Sequence, residues 1–67
     1  MEGNKIGILQ ATDGIYNVYI GVIVSNDAVE LAYHSDAPDM ELSSATLTKE
    51  KTKTLILYLI YALEQLE

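Results

Sequence analysis

Cysteine and arginine are both missing from this 67-residue chain, as are tryptophan and phenylalanine, while histidine and proline occur once each. Without cysteine there is no disulfide, no thiolate nucleophile and no sulfur-ligated zinc. A lone histidine, His34, falls short of the nitrogen and sulfur ligands a structural zinc needs, so neither a metal nor a cofactor is expected. No G-x-S-x-G elbow occurs, and the four glycines are scattered among strands and turns instead of gathered into a phosphate-binding loop. No nucleophile–base or acid–base pair can be named, and the chain is therefore expected not to be an enzyme.

Positive charge is scarce as well. Lys5, Lys49, Lys51 and Lys53 stand against ten acids, for a net charge of −6. So few cations cannot track a phosphate backbone, and an acidic chain repels DNA, RNA and anionic membranes. Direct nucleic-acid or membrane binding is not expected, and a basic protein surface is the natural complement. Long apolar runs are lacking: the longest, Leu55 to Leu63, covers nine residues, where a membrane span needs roughly 20. The first residues, Met1 to Lys5, lack the charged and apolar regions of a signal peptide, so a cytoplasmic location is expected.

What the chain does have is hydrocarbon, with 49% hydrophobic residues. A domain near this size buries only about 60% of the surface its unfolded chain exposes. With disulfides excluded and a metal not expected, association into a homodimer is the expected source of additional stability.

The pattern predicts an α+β domain over residues 1–67: a three-stranded antiparallel β-meander followed by one C-terminal helix packed on a sheet face. The strands are expected at about 5–11, 15–25 and 28–34, an acidic loop at 35–47 and the helix at about 49–66. Asp13-Gly14 reads as a type I′ hairpin turn and Asn26-Asp27 as a weaker turn. As two-residue loops, the first opposes Leu9 to Val18, Ala11 to Tyr16 and Gly7 to Ile20. The second opposes Val24 to Val29, Val22 to Leu31 and Ile20 to Tyr33. Opposed residues share a face. Both turns thus place Leu9, Ala11, Tyr16, Val18, Ile20, Val22, Val24, Val29, Leu31 and Tyr33 on one side. A one-residue slip in either turn scrambles that set.

Ser35-Asp36-Ala37-Pro38-Asp39 ends the third strand, since proline cannot donate to a ladder. Met40 and Leu42 are expected to pin the loop to the core. Thr48 is a good N-cap. Beyond it, Leu55, Leu59, Ala62, Leu63 and Leu66, widened by Ile56 and Ile60, form a stripe suited to cover the apolar sheet face.

Apolar surface remains after that packing. The other sheet face carries Ile6, Ile8, Tyr19, Gly21, Ile23, Ala32 and His34, with Gly21 and Ala32 expected to form a shallow depression. Leu57, Tyr58 and Tyr61 make a second patch on the helix. These residues are the candidate partner or dimer interface, because tyrosines and aliphatics ringed by polar residues are what interfaces use. Asp36, Asp39 and Glu41 form an acidic, partner-facing loop. They lack the spacing of an EF-hand, and as a metal site they rank below a solvated loop. Lys49, Lys51 and Lys53 at the helix start are a possible anion site. His34 opposite Tyr19 reads as cross-strand packing before it reads as a proton-transfer pair.

Charge is unevenly divided. Residues 1–48 hold seven acids and one lysine, giving −6, and residues 49–67 hold three of each, giving zero. The leading expectation is a small acidic binding module, a homodimer acting as inhibitor or adaptor on a larger basic partner. In size and charge it is similar to compact phage-encoded inhibitors of host nucleic-acid enzymes or defence systems. The alternatives are a nucleotide- or metabolite-binding protein using the lysines, and a structural subunit of a larger assembly.

Overall fold

Two tight turns organise the chain in the computed structural model, which describes residues 4–66. Strands β1 (Asn4–Asp13), β2 (Tyr16–Ser25), β3 (Ala28–Ser35) and β4 (Ser43–Leu47) precede one helix, α1 (Lys49–Gln65). The strands form one antiparallel sheet in the order β1-β2-β3-β4, so the fold is α+β with four strands where three were expected. The added strand lies inside the predicted loop. A meander ending at β3 leaves a row of backbone donors and acceptors without partners. Ser43 to Leu47 pair with that edge, from Tyr33–Ser43 to Val29–Leu47.

The second turn matches its expected register, with Ser25 opposing Ala28 around Asn26-Asp27. The first hairpin is two residues out of the expected register. Asp13 opposes Tyr16, Ala11 opposes Val18 and Leu9 opposes Ile20, so the loop is Gly14-Ile15 and not Asp13-Gly14. The backbone explains the difference. Gly14 has φ +67° and Ile15 is not in the positive-φ region. Positive φ at the first central position alone is the type II′ pattern, which puts glycine first, whereas type I′ needs it at both positions. A displacement of two residues preserves every side-chain direction, so the predicted faces survive.

A bulge at Ile6 is the second departure. Lys5 opposes Ile23 and Gly7 opposes Val22, leaving Ile6 as the extra residue. Beyond the bulge, Lys5 shares a face with Ile23, in the place expected of Ile6.

One face therefore carries Leu9, Ala11, Val18, Ile20, Val22, Val24, Val29, Leu31 and Tyr33, continued on β4 by Ala45 and Leu47. We call it the Val18 face. Among the described residues its one charged member is Asp13, at the turn beside Tyr16. Val18 is the only buried hydrophobic residue described, at 4% exposure. It sits on a central strand between Ala11 and Ser35, with Tyr16 and Ile20 along its own strand.

The helix does not cover this face, which corrects the expected packing. No residue of α1 is buried. Thr52 and Leu55 are half-buried, while Leu59 is 60% exposed and Leu63 67%. The helix packs on β3 and β4; its first turns lie beside Val24 at the end of β2, and it does not approach β1. The cause is the connection. Thr48 alone separates β4 from α1, in extended conformation (φ −68°, ψ 171°). Its hydroxyl accepts from the Lys51 N–H at 3.1 Å, so it serves as the expected N-cap. A one-residue link that is also the cap leaves no slack to fold the helix back across the sheet.

The resulting chain is open. Its radius of gyration is 13.5 Å, against about 11 Å for a compact chain of this length. Its accessible surface is 5653 Å², against about 4,200 Å² for a compact monomer of this mass.

The turn geometry makes a direct prediction. Gly14→Ala forces a side chain into the left-handed region and should lower stability by about 1–2 kcal/mol. Asn26, with φ 56°, already occupies that region, so Asn26→Gly should be neutral or slightly stabilising. Denaturant midpoints at fixed protein concentration, with m unchanged, check both.

Candidate functional site

The opposite sheet face holds a shallow apolar hollow of about 280 Å³, floored by Gly21 and Ala32 and lined also by Lys5, Ile8, Tyr19, Ile23, His34 and Leu42. The strand register builds it. Gly21 opposes both Ile8 on β1 and Ala32 on β3, so the two smallest residues of the face meet at the sheet centre. A Cβ added to Gly21 would lie 3.8 Å from the Ala32 Cβ and 4.0 Å from Ile8 Cγ1, ordinary contact distances. Glycine here provides depth and is not needed for backbone strain.

Most of the interface residues predicted for this face meet around the hollow: Ile8, Tyr19, Gly21, Ile23, Ala32 and His34. Ile6 does not, because the bulge puts Lys5 there instead. Lys5 and Leu42 were missed. The signal for Lys5 was available, since a glycine within a strand, Gly7, often accompanies a bulge. Leu42, 70% exposed, borders this hollow instead of pinning the loop to a core. Tyr19 and His34 stack with ring centroids 6.4 Å apart and planes at 24°. Stacked rings are cross-strand packing; proton transfer requires a hydrogen-bonded approach of about 2.6–3.2 Å.

The three loop acids part company. Asp36 is tied to the sheet: its Oδ1 accepts the Asn17 backbone N–H at 3.0 Å and its Oδ2 accepts from Asn17 Nδ2 at 3.3 Å. Its own N–H donates to the Asn17 carbonyl at 3.0 Å, extending the β2–β3 ladder. The Ser35 hydroxyl, in a buried residue, accepts the Ala37 N–H at 3.1 Å. Asp36 is thus a structural clamp and not a free lure. Asp39 and Glu41 are exposed, and Asp39 takes φ 66°. Among the described residues, no three carboxylate or imidazole groups converge as a metal site would require.

The lysines also diverge. Lys49 and Lys53 border a hollow with Val24, Val29 and Asp27, and Lys51 does not. Two residues along a helix is about 200° of rotation, which turns Lys51 away from Lys49. Leu57, Tyr58 and Tyr61 are all exposed on α1, far along the chain from the residues around Gly21. None of them lines the Gly21 hollow, so they form a separate surface.

Compared with protein-family models, with curated proteins and with solved structures, the chain matches none of them significantly.

Asp36→Ala leaves the Asn17 N–H without its acceptor and should cost about 1 kcal/mol. Hydrogen exchange should show faster exchange at Asn17 and Ala37, with the strand centres unaffected. Unchanged exchange at both sites would contradict the clamp.

Proposed function

We propose that the chain is a non-enzymatic protein-binding module whose Gly21 face docks on a basic surface of a larger protein, as an inhibitor or adaptor. The observation that carries this reading is the apolar hollow between Ile8, Tyr19 and Ala32, open on a chain of net charge −6. An aromatic and aliphatic depression gives a partner side chain somewhere to anchor. The surrounding negative charge selects the partner's sign and speeds encounter. Glu30 lies on this face opposite Ile23, and Asp39 and Glu41 stand exposed in the loop that also carries Leu42. The anion-site alternative is weakened because Lys51 points away from Lys49 and Lys53, and because Asp27 shares their hollow.

The test uses one substitution. Gly21→Arg fills the hollow and adds a cation that a basic partner would repel, without demanding a strained backbone. Partners captured from source-cell extract by the parent protein should be basic, and their affinity should fall steeply with added salt. The variant should keep its melting curve and lose these partners. Capture of the same proteins with equal affinity by Gly21→Arg would refute the reading.

A further inference from the structure

We infer that the Val18 face is covered by the helix of a second copy of this chain, each copy placing its α1 across the sheet of the other. Two surfaces need cover. The Val18 face is apolar from Leu9 on β1 to Leu47 on β4, with one described charge, at its corner. The helix is apolar on every side from Leu55 to Leu63, a run containing only leucine, isoleucine, tyrosine and alanine. A helix that is hydrophobic all round belongs in an interior, yet no residue of α1 is buried.

The chain does not join these surfaces by itself: Thr48 is both the sole link and the N-cap, and the helix it launches leaves the face open. Short hinges that prevent an element from closing on its own chain favour exchange with an identical neighbour. A two-fold axis satisfies both demands at once: helix on sheet twice, and the outer sides of the two helices against each other. The area agrees. The accessible surface of 5653 Å² exceeds that of a compact monomer by about 1,400 Å², and a stable interface of standard size needs about 800 Å² per partner. Charge does not oppose it. Between β1 and β4 the acids lie in the turns, the 36–42 loop and the Gly21 face, and in residues 49–67 three acids are balanced by three lysines.

The pairing is independent of the Gly21 face, so its test does not depend on the docking partner. Because the chain has no cysteine, introduced thiols report alone. Val22→Cys and Leu31→Cys mark the Val18 face, Leu59→Cys and Leu63→Cys the helix, and Tyr19→Cys the opposite face. Single variants are mixed in pairs, refolded together and mildly oxidised. Face and helix variants should form a mixed disulfide dimer, and Tyr19→Cys with Leu59→Cys should not. Leu59→Glu serves as a second variant: Leu59 is 60% exposed within one chain, so the substitution is neutral for a monomer and should dissociate the dimer in sedimentation. A parent protein that sediments as a monomer at 100 µM overturns the inference. So do disulfides formed only between helices, or only through Tyr19→Cys.

Discussion

Thr48 is the constraint on which the architecture turns. A single residue joins the last strand to the helix, and its hydroxyl is committed to the Lys51 N–H. A longer connection would let α1 lie on its own sheet and complete a compact two-layer domain. With this one, the helix leaves the sheet at the β3–β4 side, and two apolar surfaces remain apart in one chain. The large radius of gyration and the near-absence of buried side chains among the described residues are consequences of that separation.

The two sheet faces differ in composition. The Val18 face has the composition of an interior, nearly free of charge, and suits a permanent contact. The Gly21 face mixes Ile8, Tyr19 and Ile23 with Lys5, Glu30 and His34, and suits a contact that forms and dissociates. Salt separates the two. Apolar association between copies of equal charge strengthens as repulsion is screened, whereas docking on a basic partner weakens.

Much of this was legible in the residues. Alternation over Ile15 to Ser25 and the two turns gave the faces, and the faces survived even though the first loop lies at Gly14-Ile15, because a two-residue displacement keeps the pleat in phase. Thr48 was readable as a cap from its chemistry alone. Three features were not read. The β4 strand is short and polar at alternate positions, and it forms because β3 offers an unpaired edge, a tertiary demand with little local trace. The bulge at Ile6 moves Lys5 into the hollow through one extra residue, which only Gly7 hinted at. The position of the helix was misjudged because periodicity shows which side of a helix is apolar and not the direction in which its link aims it. The clamping role of Asp36 was illegible for another reason: its charge shows in the sequence, but its bonds to Asn17 depend on a contact 19 residues away.

The central claim is that the interior is completed by two chains. Equilibrium unfolding measured over a thousandfold range of protein concentration tests it most directly. If folding and association are coupled, the midpoint must rise with concentration while the slope stays constant, since mass action favours the paired state. A midpoint independent of concentration across that range would mean that one chain is stable with its Val18 face and helix exposed, and would contradict the account.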